Sequence, residues 1–226
     1  MADGKLYIGT RRYSSWSLRG WLAVRLAKLD VAEILIPLAG GVTPGVQAIS
    51  PGGTVPYLEH RGAAVWESLA ICEYCAEIAP SLWPAERVAR AHARAIAGEM
   101  HAGYRELRMA MPMALFRPRS TGTGAAGTCA TDGALADIAR IDALWQDTRS
   151  RFGAGGPYLF GADFGNADAM FAPVVARFLT YAPKLSSVAQ EYCAAVRAHP
   201  LIAEWYATAA AEPRDWWMDR YETAPA

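Results

Sequence analysis

The sequence has little of what marks membrane-spanning, secreted or nucleic-acid-binding proteins. Lysine and arginine total 22 and aspartate and glutamate total 22, so the formal net charge is zero and no basic excess favours a polyanionic partner. Four cysteines in 226 residues are too few for a disulfide framework. No apolar run reaches the roughly 18 residues of a membrane span, and the start, MADGKLYIG, lacks the apolar core of a signal peptide. We therefore expect a cytoplasmic protein that binds neither membrane nor nucleic acid.

Lysine is also scarce, because 19 of the 22 cationic residues are arginine. Together with the abundance of alanine, this composition is typical of a GC-rich bacterial genome. The length is sufficient for one large or two small domains with real hydrophobic cores.

The cysteine pair at Cys72 and Cys75 has the C-x-x-C spacing of a redox centre. A reactive thiolate of this kind needs the first turn of a helix to lower its pKa, whereas these two residues fall inside a predicted helix. Free cysteine is among the most often buried residue types. We therefore expect both as core residues, and we expect no metal site.

The stretch GTVPYLEHRGAAVWESLAI, at residues 53–71, organises the chain. It predicts a strand at 55–59, a turn at Gly62, a strand at 63–66 and a helix that begins at Glu67 and Ser68. Proline at a strand start is compatible with a cis Val55–Pro56 bond, which would leave the Val55 main chain free for a ligand. The adjacent helix N-terminus offers unpaired amides to a carboxylate.

Joined together, these residues resemble the glutathione-binding half of the soluble glutathione transferases. In that family the pattern x-V-P-x-L, a turn, a strand and E/D-S-x-A-I hold the tripeptide. Relatives often carry Gln, Lys or Arg at the position before Val, and the long loop at 38–52 lies over the glycine end of glutathione. By resemblance, the glutathione contacts are Val55, Pro56, Glu67, Ser68, Gln47 and Thr54.

A second motif follows the first predicted strand, at residues 5–9. The run SSWSLR opens a predicted amphipathic helix whose first serine, Ser14, can cap the amides of the first turn. The same hydroxyl can donate to a sulfur anion, whose charge the helix end also favours. These two effects lower a thiol pKa by about one to three units, which suffices to ionise a thiol of pKa about 8.5 near neutral pH.

The SSWSLR run resembles the zeta-class transferases and maleylacetoacetate isomerases, in which the first serine activates glutathione. By resemblance Ser14 is the activating hydroxyl, with Ser15 and Ser17 as alternates. Trp16 replaces the cysteine of the zeta pattern, and this departs from the isomerases. Tyr13 is a further rival, because other classes use a tyrosine near the end of the first strand.

From residue 85 onward the sequence reads as helices, including one at 87–113 and one at 135–152, with a connecting loop at 117–132. The segment EMHAGYRELRMAMPM resembles a group of proteobacterial transferases of unassigned substrate. One helical face there is either a solvated domain interface or the second-substrate pocket. The candidate pocket residues on this face are His101, Tyr104, Arg108 and Met111.

The run GPYLFGADFGNADAMF resembles the family's folding signature L-x-G-x-x-F-S/T-x-A-D. Gly165 stands at the cap position, where the family has serine or threonine, and glycine is tolerated there at small cost. Asp168 matches the signature aspartate, and the resemblance gives it a structural role.

The sequence therefore predicts an α/β thioredoxin-like N-terminal domain at residues 1–82 and an all-α C-terminal domain at 83–226. The resemblance implies a homodimeric detoxification enzyme that uses glutathione as co-substrate against a small, hydrophobic electrophile. One alternative is a zeta-like cis–trans isomerase whose dicarboxylate substrate is held by Arg12, Arg108 and Arg177. The other is a non-enzymatic member of the fold that binds a ligand or a protein partner.

Overall fold

The computed structural model describes residues 2–117 and 131–222, and its first half is an α/β layer. The order strand, helix, strand, loop, two strands, helix is the predicted one and is confirmed. Its elements are β1 (Gly4–Gly9), α1 (Ser15–Leu26), β2 (Val31–Ile36), α2 (Pro44–Gln47), β3 (Tyr57–His60), β4 (Ala63–Trp66) and α3 (Ser68–Ile78).

The four strands form one sheet in the order β2-β1-β3-β4. β1 is parallel to β2 and antiparallel to β3, which is antiparallel to β4. Leu6 and Ile8 of the central strand are fully buried in the core, together with Leu18 and Leu22 of α1 and Ile71 of α3. α1 packs against β1 and α3, and α3 packs against β3 and β4, so the two helices lie together against the sheet.

The second half is helical, as predicted. Its helices are α4 (Arg87–Ala102), α5 (Arg105–Ala110), α6 (Asp132–Phe152), α7 (Asn166–Tyr181), α8 (Ser187–Ala198), α9 (Pro200–Ala210) and α10 (Asp219–Glu222). Short 3-10 turns occupy Pro80–Leu82 and Arg214–Trp216. α7 is the core helix, because nearly all its residues are buried and it packs against α1, α4 and α8. The contact between α7 and α1 joins the helical half to the sheet.

The prediction of a single helix at 87–113 is wrong, because two helices, α4 and α5, occupy this stretch. The chain leaves α4 after Ala102, and Tyr104 adopts the left-handed conformation with φ of 58° before α5 begins. Gly103 fits there because a Cβ would lie 2.8 Å from the Glu99 carbonyl oxygen. Arg108 replaces the interrupted helix bonds, since its guanidinium donates to the carbonyls of Met100, His101 and Gly103. The argument that residues 101–111 share one helical face therefore fails.

Other boundaries differ by a few residues. The predicted strand at 55–59 is β3 at 57–60, and the loop at 38–52 contains the short helix α2. The predicted loop at 117–132 lies almost wholly outside the described residues, and so does Cys129.

Cys72 and Cys75 are buried, as predicted. Burial raises the pKa of the Cys72 thiol well above its ordinary value and that of Cys75 to about 12. Thiols held protonated in this way are poor nucleophiles, which agrees with a packing role. In residues 2–117 and 131–222, no helix is both long enough and apolar enough to cross a bilayer.

Candidate functional site

Ser14 stands at the N-cap of α1. Its side chain accepts a hydrogen bond from the main-chain N–H of Ser17, at 3.3 Å, and its Oγ donates to Ser17 Oγ at 2.7 Å. Ser17 Oγ in turn accepts the N–H of Gly9, the last residue of β1, at 2.9 Å. The local pattern S-x-x-S thus forms both a helix cap and a pair of hydroxyls anchored to the sheet.

A cavity of about 280 Å³ opens beside this cap. Three segments form its walls: the turn at 13–16, the loop and helix at 38–47, and the residues 53–55 that lead into β3. The fold thereby brings together six residues that the sequence singles out. They are Tyr13, Ser14, Ser15, Gln47, Thr54 and Val55.

The Val55–Pro56 peptide bond is cis, as the sequence led us to expect. Val55 precedes β3, so its main chain lies outside the ladder between β3 and β1. Pro56 packs against α1 at Gly20, where an added Cβ would lie 2.7 Å from the proline ring. The close approach of α1 to this loop therefore requires glycine at position 20.

Glu67 and Ser68 form the beginning of α3. Glu67 has φ of 71°, and its side chain makes no capping hydrogen bond. The Ser68 side chain is 1 % exposed, and its hydroxyl has no hydrogen-bond partner within the part of the chain that the structure describes. A buried hydroxyl without a partner is costly, so it is suited to a ligand that supplies one.

The Tyr13 hydroxyl is hydrogen-bonded to a segment more than 200 residues further along the chain. Its hydroxyl donates to Glu222 Oε1 at 2.5 Å and accepts the main-chain N–H of Met218 at 3.0 Å. Burial, followed by the bond to Glu222, raises the Tyr13 pKa. The single hydroxyl proton therefore already points at a carboxylate, which favours Ser14 over Tyr13 as the group that meets a thiol.

Trp16 contacts two guanidinium groups, an arrangement that the sequence motifs did not predict. The guanidinium carbons of Arg19 and Arg108 each lie 4.5 Å from the centre of its indole. The ring of His101 meets the indole edge-on at 5.3 Å, and His101 Nε2 lies 3.9 Å from Glu67. The spacing of Trp16 and Arg19 on one helical face was the available signal for half of this arrangement.

The three arginines expected to hold a dicarboxylate have different positions. Arg12 pairs with Glu222 at 2.9 Å, so its charge is already balanced. The guanidinium of Arg108 donates its hydrogen bonds to main-chain carbonyls. Arg177, which burial shifts to a pKa of about 10, donates to the carbonyls of Met111 and Pro173 and reaches Ser15 Oγ at 3.4 Å.

Two of the expected pocket residues, Tyr104 and Met111, are turned to other partners. The Tyr104 hydroxyl donates to Glu99 at 2.5 Å, and Met111 is fully buried in the core. None of the four expected pocket residues lines the cavity beside Ser14. His101 and Arg108 differ from the other two in that they contact Trp16, which does line it.

Asp168 buttresses the start of α7. Its carboxylate accepts the N–H groups of Leu159 and Gly165 and the hydroxyl of Tyr192, at 3.0 to 3.1 Å. Burial nevertheless raises its pKa to about 6. These contacts tie the GPYLFG turn, the helix start and α8 together, as expected for a structural residue.

A larger cavity of about 450 Å³ lies at the connection between the two halves, beside Trp83, Phe160 and Asp168. It contains none of the residues of the V-P, E-S or S-S-x-S motifs, so we place the functional site in the smaller cavity. Within residues 2–117 and 131–222, no cluster of His, Cys, Asp and Glu is arranged to hold a metal ion.

Two family models match the chain. The model described as glutathione S-transferase, N-terminal domain, matches residues 13–78, and the one described as glutathione S-transferase, C-terminal domain, matches residues 88–208. The first match contains every predicted glutathione contact, and the second contains α4 except its first residue and the whole of α5 to α8.

Individual proteins agree with these matches. A probable maleylacetoacetate isomerase of Caenorhabditis elegans is 27 % identical over 172 residues, covering 75 % of this chain and 76 % of the relative. A Burkholderia glutathione transferase homologue, solved with bound glutathione, superposes with a TM-score of 0.69 at 19 % identity, covering 93 % and 100 % of the two chains. A maleylacetoacetate isomerase from Anaeromyxobacter dehalogenans gives 0.66 at 22 % identity, covering 96 % and 98 %. With both domain models matched in order over most of its length, this chain belongs to the glutathione S-transferase family.

Proposed function

We propose that the cavity beside Ser14 binds glutathione, that the Ser14 hydroxyl stabilises its thiolate, and that the thiolate attacks a small hydrophobic electrophile. The observation that carries this proposal is the position of Ser14. It caps α1 and lines the same cavity as Val55, whose main chain is outside the sheet ladder. A thiol placed between these groups is met by a hydroxyl donor and by the positive end of a helix.

A short relay explains how Ser14 can donate. In the structure Ser14 donates to Ser17 Oγ, 2.7 Å away, and Ser17 Oγ accepts from the Gly9 N–H. When the thiolate binds, both hydroxyl protons would turn, so that Ser17 donates to Ser14 and Ser14 donates into the cavity, toward the sulfur. Each donor in such a chain polarises the next, which strengthens the last bond to the anion.

The γ-glutamyl end of glutathione would bind at the start of α3. There Ser68 supplies the unpartnered hydroxyl, and the first-turn amides supply donors for a carboxylate. Glu67 is half exposed beside it and would hold the α-ammonium group. Glu67 and Ser68 lie outside the lining of the cavity, so this end of glutathione would extend beyond it, while Gln47 and Thr54 in the cavity wall would meet the glycine end.

The electrophile would approach over Trp16. The indole is partly exposed in the cavity wall, and Leu38, Val42 and Val46 add apolar surface nearby. These groups favour a flat, apolar acceptor rather than a strongly hydrated one. Positioning and ionisation supply the rate gain, and no covalent enzyme intermediate is needed.

Isomerisation is the second candidate, and two observations favour it. The chain is 27 % identical to a probable maleylacetoacetate isomerase, and the buried guanidinium of Arg177 reaches Ser15 in the first turn of α1. In that reaction glutathione would add to the substrate and leave again, so it would not be consumed. Trp16 in place of cysteine, and the pairing of Arg12 with Glu222, weigh against it.

The deciding experiment is an ultraviolet titration of the protein with glutathione across pH, for wild type, Ser14→Ala and Ser15→Ala. We expect a thiolate band near neutral pH in the wild type and in Ser15→Ala, and its loss in Ser14→Ala with glutathione still bound. A band that survives in Ser14→Ala would show that another residue activates the thiol. Turnover of maleylacetoacetate without loss of glutathione would move the assignment to the isomerase.

We also propose a cytoplasmic homodimer with the domain boundary at 82–83. Exposed apolar side chains lie on β4, at the end of α3 and at the start of α4, namely Trp66, Ile78 and Val88. Such side chains are suited to an interface. Light scattering of the purified protein tests the homodimer, and a monomer at micromolar concentration would contradict it.

A further inference from the structure

Residues 213–222, which we call the strap, cross from the helical half to the cavity. They follow α9 and contain the 3-10 turn Arg214–Trp216 and the helix Asp219–Glu222. Their polar contacts with the first half fall on the turn before Ser14 and on the loop at 38–41, and both of these form walls of the cavity.

The second half of the strap, residues 217–222, binds Arg12. Arg12 is 3 % exposed, and its guanidinium lies 3.9 Å from the ring centre of Trp217 and 4.5 Å from that of Phe116. Its Nε and Nη2 donate to the two carboxylate oxygens of Glu222, at 3.2 and 2.9 Å. A forked, stacked arginine of this kind has one well-defined orientation.

The same carboxylate binds Tyr13. Glu222 Oε1 accepts from both Arg12 and the Tyr13 hydroxyl, and that hydroxyl also accepts the N–H of Met218. The rings of Tyr13 and Tyr221 are 5.4 Å apart. Because Tyr13 directly precedes Ser14, the strap fixes the residue on which the position of the Ser14 hydroxyl depends.

The same half of the strap also binds the opposite wall. Arg220 donates to the carbonyl of Gly40 at 2.5 Å. Gly40 has φ of 77°, and an added Cβ would meet Arg220 and Met218. The next residues, Gly41 and Val42, line the cavity. One segment therefore holds both walls.

A further contact fixes the base of the strap. The Glu212 carboxylate, 6 % exposed, accepts the main-chain N–H groups of Arg11 and Arg12 at 2.6 and 3.2 Å. The turn at 10–13 is thus bound both at its main chain, by Glu212, and at its side chains, by Glu222.

We infer that the strap positions the two walls of the glutathione cavity, and that Glu222 and Tyr13 are positioning residues for the Ser14 hydroxyl. This inference rests on the proposed function, since it assigns to the strap the alignment of the group that stabilises the thiolate. Displacement of such a group by about 1 Å can cost on the order of 100-fold in rate.

The test uses the full chain and the variants Glu222→Gln and Tyr13→Phe. The matched control is Asp215→Asn, which removes a carboxylate from the same segment at an exposed position. Glutathione affinity is measured by calorimetry, and thiolate formation by the ultraviolet band across pH. We expect the apparent pKa of the bound thiol to rise by about one pH unit in Glu222→Gln and by less in Tyr13→Phe, with Asp215→Asn unchanged.

The comparison separates positioning from direct catalysis by Tyr13. If Tyr13 itself donated to the thiolate, Tyr13→Phe would abolish the band, and Glu222→Gln, which frees the hydroxyl, would preserve it. That result would overturn the inference, as would wild-type pKa and affinity in Glu222→Gln.

Amide hydrogen exchange of the ligand-free protein keeps this inference distinct from the proposed function. We expect faster exchange at 10–15 and at 38–43 in Glu222→Gln, whereas a purely local role would change only 213–222. A wild-type protein with no thiolate band would refute the proposed function. In that case two measurements on Glu222→Gln would still test the inference about the strap, namely amide exchange at 10–15 and 38–43 and glutathione affinity. Wild-type values of both would refute that inference as well.

Discussion

The hydroxyl oxygens of Ser14 and Ser17 lie 2.7 Å apart at the first turn of α1, and Ser17 is bonded to the last N–H of β1. The group that we expect to meet the glutathione thiol is thus connected to the central strand through one other side chain. Ser17 is fully buried, so it can act on a ligand only through Ser14.

Replacement of Ser17 by alanine tests this connection. Ser17→Ala leaves the buried Gly9 N–H without its acceptor, which costs about 1 to 3 kcal/mol of the free energy of unfolding. It also removes the donor behind Ser14, so the pKa of bound glutathione should rise while its affinity changes little. Chemical denaturation and the ultraviolet titration measure the two effects. An unchanged thiol pKa in a folded variant would rule out the relay.

The contact between Gly20 and Pro56 predicts a sharp contrast between two helical glycines. Gly20→Ala places a Cβ 2.7 Å from the proline ring, and such overpacking costs about 1 to 3 kcal/mol. It should also weaken glutathione binding, because Val55 moves with Pro56. Gly98→Ala in α4 is the control, since nothing lies within 4 Å of its added Cβ, and it should stabilise the chain by up to about 1 kcal/mol. Thermal unfolding and calorimetry compare them, and equal behaviour would contradict the packing argument.

Trp16 should control the electrophile rather than glutathione. Trp16→Ala removes the ring that contacts Arg19 and Arg108 and should lower kcat/KM for an aromatic acceptor such as 1-chloro-2,4-dinitrobenzene by about 10-fold. Trp16→Phe keeps a ring and should retain most of the activity. Steady-state kinetics with each substrate varied in turn gives the answer. A change confined to the KM for glutathione would mean that Trp16 belongs to the other half of the site.

Asp168 should make stability depend on pH. Its folded-state pKa of about 6 is above the ordinary value of 3.8, so the folded state binds more protons than the unfolded state between these values. Its contribution to the free energy of unfolding is therefore fully present below about pH 4 and falls by about 3 kcal/mol as the pH rises through 6.

The variant Asp168→Asn isolates this contribution. It lacks the titration but loses the acceptor for the Gly165 N–H, so it should be the less stable protein at pH 4. The difference in the free energy of unfolding between wild type and the variant should narrow toward pH 7. Urea unfolding of both proteins at several pH values measures it, and a constant difference would show that the carboxylate stays ionised throughout.

The sequence by itself determined the features whose chemistry is contiguous. Val55 with Pro56, Glu67 with Ser68, and Ser14 with Ser17 are local patterns, and a cap or a turn forms wherever its residues stand at the required spacing. The order of strands and helices followed from periodicity in the same way. The domain boundary and the roles of the individual site residues stay predictions.

The tertiary structure decided which side chains remain available for chemistry. Tyr13 is excluded as a free donor by Glu222, which lies 209 positions away, and Arg177 reaches Ser15 from 162 positions away. No local pattern encodes such pairs, because they form only when packing closes the loops between them. The break at Tyr104 has the same origin, since a left-handed residue is stabilised by its surroundings and not by its own preference. Local spacing therefore located the glutathione transferase motifs, while long-range packing decided which candidate hydroxyl is bonded to a carboxylate, and this favours the prediction of Ser14 over Tyr13.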